Sequence, residues 1–231
     1  MKKIKLFIPF IIAALLLNGC KLPLYMPTSI NTPMFTEKGQ YNASACIGSG
    51  ANMQIAGSVF NNIAFIGNFD YNEASLENTI NNSTTKSKAT QYMYEIGGGY
   101  YHALNHQLMV EVFGLFGRGF AKIDSKTTDI YRYALQTDIG ITRQYINFSF
   151  SLRTGYMNYS TRLPTNYYSN YELSAKGSSF FMDPALTLKV GGETLKFIVQ
   201  YGKSRAFNSY PYDMWNHTWF IMGLNLSLKN G

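Results

Sequence analysis

Apolar and polar residues alternate with a period of two along most of this chain, from about Gln40 almost to the last residue. In Tyr131–Ile141, mostly large apolar residues at odd-numbered positions alternate with polar or small ones such as Arg132 and Asp138. This pattern is typical of β-strands with one apolar and one polar face. Two other segments show it as clearly, 146–156 and 220–228.

Weaker alternation predicts seven more strands, at 40–47, 52–59, 63–72, 91–101, 108–121, 179–190 and 195–204. The ten candidate strands are joined alternately by short and long connections, except that the first outward connection, 48–51, is also short. The short connections are 60–62, 102–107, 142–145 and 191–194, and the long ones are 73–90, 122–129, 158–178 and 205–215. Short turns at one end and long polar loops at the other are typical of an outer-membrane β-barrel. Pro184 falls inside the eighth strand, where we expect a bulge or the barrel rim.

The two faces of these strands differ in character. One carries large aromatic residues and leucines, and the other carries small polar residues with isolated charges: Asp70, Glu95, Glu111, Arg132, Asp138, Arg153, Asp183 and Lys189. A strand face exposed to water normally shows Lys, Glu and Thr, whereas small residues with balanced charges suit a crowded interior. We therefore predict an all-β, antiparallel up-and-down transmembrane β-barrel over 40–231, with these eight residues as a network in its lumen.

A soluble barrel gives the same alternation, so a second hypothesis stays open. It is a lipid-anchored, lipocalin-like barrel that binds an apolar ligand. That arrangement would place Leu135, Phe148, Phe150 and Leu224 inside the barrel instead of outside.

Composition narrows the classes of protein. The 231 residues are 46% hydrophobic, 16% aromatic and only 14% charged, which excludes disorder, collagen and coiled coils. A mean hydropathy of −0.12 argues against a polytopic helical membrane protein.

The N-terminus has the pattern of an export signal. Lys2, Lys3 and Lys5 precede the apolar stretch Leu6–Leu17, and Leu17-Asn18-Gly19-Cys20 resembles the bacterial lipobox. We expect a lipoprotein signal peptide at 1–19, fatty acids such as palmitate attached through Cys20, and a proline-containing tether over 20–39. Removal of 1–19 takes away three lysines and no acid, which lowers the formal net charge from +7 to +4. This mild charge, together with export, argues against a nucleic-acid partner.

Motifs for chemistry are weak. His102 and His106 have the spacing of two helical metal ligands but fall in a predicted turn without the glutamate of a zincin. Glu95 and Glu111 could form an acid/base pair, but Arg132 and Arg153 share their face and favour ion pairing. His217 with Asp213 is the one local similarity to ten-stranded outer-membrane proteases. We predict no catalytic residue, cofactor or metal, and an enzyme is the third hypothesis.

Aromatic residues are concentrated in two predicted outward loops. Such side chains stack on sugars or peptides, and they also form the girdle of a membrane interface. The candidates for outward contacts are Tyr167, Tyr168, Tyr171, Tyr212 and Trp215.

Several short motifs together resemble those of a known group. The lipobox, the run Tyr25–Phe35 followed by Glu37-Lys38-Gly39, and Asp183-Pro184-Ala185 resemble small outer-membrane β-barrel lipoproteins of Bacteroidetes-type bacteria. The resemblance implies an outer-membrane location, because Lys21 replaces the aspartate that marks inner-membrane retention in some bacteria. It implies no activity. We expect a structural or interaction role, with membrane lipid and an unidentified cell-surface or envelope protein as partners. Narrow passage of small solutes is a further hypothesis.

Overall fold

A computed structural model describes residues 25–80, 83–105, 107–123, 126–162, 176–207 and 218–229. These residues form eleven β-strands: β1 Gln40–Gly48, β2 Gly50–Phe60, β3 Ile63–Ile80, β4 Ser83–Ala103, β5 Leu108–Ile123, β6 Lys126–Thr142, β7 Ile146–Arg162, β8 Lys176–Gly191, β9 Leu195–Lys203, β10 Arg205–Phe207 and β11 Thr218–Lys229. In this part of the chain, no helix has the length and apolar character needed to cross a membrane.

The sheet closes on itself. Consecutive strands from β1 to β9 pair antiparallel, and β11 pairs with both β9 and β1. β10 pairs with β8 and continues the line of β9, so β9 and β10 together make one barrel strand. The predicted fold class is confirmed: the chain is an all-β, closed, ten-stranded antiparallel barrel.

Pro184 explains why the ninth barrel strand is interrupted. β8 pairs with β7 without a register shift through Pro184, which lies opposite Leu152, so the expected bulge or rim position is wrong. On the other side of β8, Ala185 pairs with Gly202 of β9 and Met182 pairs with Arg205 of β10. Both pairs have the same register, so the interruption between β9 and β10 does not shift the pairing. Proline has no N–H to donate, and the ladder is interrupted locally without a change of register.

Several strands run further than predicted. The predicted loops 73–90 and 122–129 are mostly strand, because β3 and β4 pair from Ile80 and Ser83 onward and β5 and β6 pair up to Ile123 and Lys126. These extensions carry few large apolar residues, and ladder pairing satisfies their backbone groups whatever the side chains. The four connections at the opposite end of the barrel, at 61–62, 104–107, 143–145 and 192–194, are all short turns, and Ser49 is a one-residue connection at the end of the long hairpins.

The polarity of the barrel is inverted relative to a soluble protein. Leu135, Phe148, Phe150 and Leu224 lie on the outer surface, 52%, 46%, 42% and 54% exposed, whereas Arg132 and its inward-facing neighbours are buried. The lipocalin-like alternative, which requires those four residues inside, is therefore wrong. A continuous apolar exterior around a polar interior is the arrangement of a barrel that faces lipid.

The barrel interior is filled by the chain itself. Residues Tyr25–Phe35, called here the lumen segment, are all buried inside the barrel and lie N-terminal to β1. The predicted tether over 20–39 is wrong for this part. Its prolines and polar residues do not keep it in solvent, because the inner faces of the strands bind its main chain. Residues 20–24 lie outside the described part of the chain.

Candidate functional site: the occupied lumen

The eight charged residues predicted for the lumen all lie inside the barrel. They come from the inward positions of β3 to β8, and each is at most 3% exposed. Period-two alternation places them there, because inward and outward side chains alternate along every strand.

Ion pairs join four of these residues across the lumen. Glu95 accepts from Arg132 Nη2 at 2.6 Å and from Arg153 Nη1 at 3.2 Å. Arg153 also pairs through Nη2 with Asp183 at 2.9 Å. Glu95 is thus fully engaged by two arginines and does not form the acid/base pair considered for it with Glu111.

Two glutamines bind the main chain of the lumen segment from both sides. The Met26 N–H donates to Gln91 Oε1 at 2.8 Å, and Gln91 Nε2 donates to the Met26 carbonyl at 2.6 Å. Gln200 makes the same pair of bonds with Ile30, each at 2.8 Å. The sequence analysis missed both glutamines, although their inward-facing positions on strands were the available signal.

Two carboxylates bind main-chain N–H groups of the lumen segment. Asp70 Oδ1 accepts from the Ser29 N–H at 3.0 Å and from its hydroxyl at 2.8 Å. Glu111 accepts from the N–H groups of Met34 and Phe35 at 3.1 and 2.7 Å. Met34 has a φ of 60°, in the left-handed region, and this turn presents both N–H groups to one carboxylate.

Cationic and amide groups bind the carbonyls of the same segment. Lys189 Nζ donates to the Thr32 carbonyl at 2.8 Å, and Arg153 Nη2 donates to the Thr28 carbonyl at 2.8 Å. Gln136 Nε2 donates to the Asn31 carbonyl at 2.7 Å and to Asp138 at 2.8 Å. The network therefore serves mainly to hold the lumen segment, because buried backbone groups must find partners.

The lumen segment runs from the short turns toward the end with the long hairpins. Tyr25 packs about ten residues above the short turns, in a cluster with Met93, Ala121, Ile130, Met157, Phe181 and Ala206. Phe35 packs near the short turns, in a cluster with Ala56, Ala64, Ile66, Tyr101, Phe113 and Leu115. The interior opposite Met34 is so crowded that a Cβ at Gly140 would lie 2.7 Å from Met34 Cε.

The inner wall formed by β2 and β3 has polar atoms without a protein partner. Among the described side chains, these include Asn52 Oδ1, both amide atoms of Asn68, Asp70 Oδ2 and Asn72 Nδ2. Asn52 and Asp70 face each other across the two strands. Buried groups of this kind are usually satisfied by ordered water. Gln136, Asp138 and Ser151, on β6 and β7, carry further atoms of the same kind.

The remaining candidate residues lie elsewhere. Cys20, His106, His217, Asp213 and the five outward-loop aromatics lie outside the described residues. His102 is exposed at the end of β4, where its ring stacks on Tyr100 with 6.2 Å between centroids. Cys46 is a free, buried thiol. Within the described ranges, no cluster of three or more His, Cys, Asp and Glu side chains could hold a metal ion.

Comparison with known proteins returns structures only. No family model and no curated protein matches the sequence. Among solved structures, the NanC porin is 9% identical with a TM-score of 0.38, and the KdgM porin is 12% identical with a TM-score of 0.31. Each match covers 82% of this chain and 99% of the porin.

A third similar structure is OmpT, an outer-membrane protein of Vibrio cholerae, at 11% identity and a TM-score of 0.36. The match covers 84% of this chain and 63% of OmpT. Across the OmpT structures the chain spans 56% to 63% of their length. At such identities the likeness concerns the β-barrel fold and carries no activity to this chain.

Proposed function

We propose that this protein is an outer-membrane β-barrel lipoprotein, anchored through Cys20, with a structural or interaction role. In this proposal it is one of the small barrel lipoproteins of Bacteroidetes-type bacteria. Its partners are membrane lipid and an unidentified cell-surface or envelope protein, and it has no catalytic residue, cofactor or metal. The observation that carries the proposal is the combination of an apolar exterior with an interior occupied by the lumen segment.

The exterior argues for a lipid environment. Side chains such as Leu135, Phe150 and Leu224 expose large apolar surfaces that would be costly in water, at roughly 25 cal/mol per Å². Exposed apolar residues recur on strands all around the barrel, so the surface is a belt and not a local patch for one protein partner.

The interior argues against an open pore. A water-filled channel needs an unobstructed polar path, but the lumen segment runs inside this barrel from the short turns to the level of Met93 and is held by Gln91, Gln200 and Glu111. Ten strands enclose little more space than the filled interior of an eight-stranded barrel, so one extended segment occupies much of the lumen.

Fractionation of a Cys20→Ala variant tests the proposal. Residues 1–19 are exchanged for a signal peptide that general signal peptidase removes, so that export continues without lipidation. We expect the variant in the outer membrane, with a gel mobility that shifts on heating, and without the fatty-acid label of the parent. Recovery of the variant as a soluble periplasmic protein would refute the membrane barrel. Cys46→Ala, at the buried thiol, is the matched control and keeps the label.

Narrow solute passage is a second candidate function. The unpartnered polar atoms of Asn52, Asn68 and Asn72 favour it, because they line one side of the lumen segment with groups that water can solvate. The test is the conductance of the full chain in planar bilayers. Discrete small-ion conductance that falls in Asn68→Leu would support passage, and a bilayer that stays silent would exclude it.

A further inference from the structure

We propose that the lipidated N-terminus lies on the cell-surface side of the outer membrane, so that the chain has passed through its own barrel from the surface to the periplasmic end. The inference rests on the proposed outer-membrane location and lipid anchor and adds the side on which the anchor lies. Its basis is the direction in which the lumen segment crosses the barrel.

The first step fixes the two ends of the barrel. The four connections at one end are short turns, whereas at the other end β3 to β6 extend well beyond β1 and β2 as long hairpins, although Ser49 also joins β1 and β2 there. In outer-membrane barrels the short turns face the periplasm and the longer extensions face outward. Gln40, the first residue of β1, pairs with Lys229, at the end of β11. The chain therefore leaves the lumen and enters the barrel wall at the periplasmic end.

The second step places Tyr25 at the opposite end. It packs with Met157, eleven residues beyond the start of β7, and with Phe181, ten residues before the end of β8. Both strands begin or end at a short turn. At about 3.3 Å per residue and a tilt near 45°, ten residues rise about 23 Å, which is close to the ~25 Å apolar band of such barrels. Tyr25 thus lies near the surface-facing edge of that band.

The third step is the reach of the chain before Tyr25. Cys20 precedes Tyr25 by five residues, and five fully extended residues span at most about 18 Å. This is less than the thickness of the apolar band, and the route back through the lumen is filled by the lumen segment itself. A diacylglyceryl group on Cys20 therefore reaches the outer leaflet and does not reach the periplasmic leaflet.

Three native lysines report the topology without any change to the chain. Lys21 adjoins Cys20. Lys38 is exposed beside the short turns, and Lys122 is exposed near the opposite end of β5. Intact cells and cells with a permeabilised outer membrane are treated with a membrane-impermeant amine reagent, and modified lysines are identified by mass spectrometry. Lys21→Arg confirms the assignment of the N-terminal site.

We expect modification of Lys21 and Lys122 in intact cells, and of Lys38 only after permeabilisation. Protection of Lys21 in intact cells that still modify Lys122 would overturn the inference and leave the outer-membrane barrel intact. Modification of Lys38 with protection of both other lysines would also overturn it, by reversing the barrel.

The lipid anchor is measured separately with an alkyne fatty acid. Loss of the label in Cys20→Ala confirms the attachment site, and the lysine pattern then gives its side. Absence of label from the parent protein would refute the anchor in the proposed function, and with it the outer-leaflet lipid. The two failures are thus distinguishable.

Discussion

Gln200 binds both main-chain polar groups of Ile30: its Oε1 accepts from the Ile30 N–H and its Nε2 donates to the Ile30 carbonyl, each at 2.8 Å. Gln200 is itself fixed by Trp219 Nε1, which donates to Oε1 at 3.1 Å, and by Thr187 Oγ1, which accepts from Nε2 at 2.8 Å. The side chain of Gln200 therefore satisfies both the N–H and the carbonyl of one residue of the lumen segment inside the barrel.

Gln200→Leu should destabilise the protein. Leucine keeps much of the volume but leaves the buried Ile30 N–H and carbonyl unpaired, at about 1–3 kcal/mol for each group. The free energy of unfolding is measured in detergent by urea titration, with heat-modifiable gel mobility as the readout. Gln107→Leu, at an exposed turn, is the control and should change stability by about 0.5 kcal/mol or less. Equal effects of the two substitutions would show that the Ile30 contact does not form.

The buried ion pair should matter far more than an exposed one. Arg132→Met removes the 2.6 Å partner of buried Glu95 and should cost about 3–5 kcal/mol of stability. Lys88→Met removes a 2.9 Å pair with Glu73 whose side chains are 59% and 42% exposed, and should cost about 1 kcal/mol or less. Both are measured by the same urea titration. An unchanged unfolding midpoint for Arg132→Met would contradict the lumen network.

Gly202→Ala should impair folding. Gly202 lies inside the barrel against Trp219, and a Cβ at this position would overlap the indole ring. Overpacking of this kind typically costs about 1–3 kcal/mol. Gly114→Ala is the matched control, since the nearest atom to its added Cβ is 3.9 Å away on the outer surface. The fraction of heat-modifiable protein in the outer membrane is the measurement, and a normal yield for Gly202→Ala would argue against the packing of Trp219.

A charge on the outer surface tests the lipid-facing assignment. Leu135→Lys places an ammonium in the apolar belt and should cost about 2–4 kcal/mol if the position lies near the bilayer midplane. Thr127→Lys, exposed on the same strand but beyond the belt, should have little effect. Stability is measured by folding into lipid vesicles at increasing urea concentration. If Leu135→Lys folded as well as Thr127→Lys, the exterior would not face lipid.

The strand pattern was predictable wherever one face is apolar and the other polar. β6 follows its predicted alternation residue by residue, because lipid-facing and lumen-facing positions differ sharply in hydrophobicity. The extensions of β3 and β4 toward Ile80 and Ser83 contain few large apolar residues. Their pairing depends on backbone hydrogen bonds, which leave no trace in the side-chain pattern.

The lumen segment could not be predicted from its own sequence. Tyr25–Phe35 lacks periodicity and contains prolines, as linkers do. Its burial depends on partners far along the chain, such as Gln200, which is 170 residues from Ile30. The eight charged lumen residues were identified from their place on the polar face. The role of Glu111 was not identified, because its partners are main-chain N–H groups of a segment that was expected in solvent.

Thiol accessibility inside the lumen segment tests the central claim most directly. Thr32 is buried and its hydroxyl has no hydrogen-bond partner, whereas Thr36, four residues later, is exposed. Each is changed to cysteine in a Cys46→Ala background, and the Cys46→Ala parent gives the baseline. The folded proteins in detergent are treated with a maleimide reagent. We predict rapid modification of Thr36→Cys, and protection of Thr32→Cys until the barrel is unfolded. Equal, rapid modification of both in the folded protein would show that the segment lies outside the barrel and contradict the account.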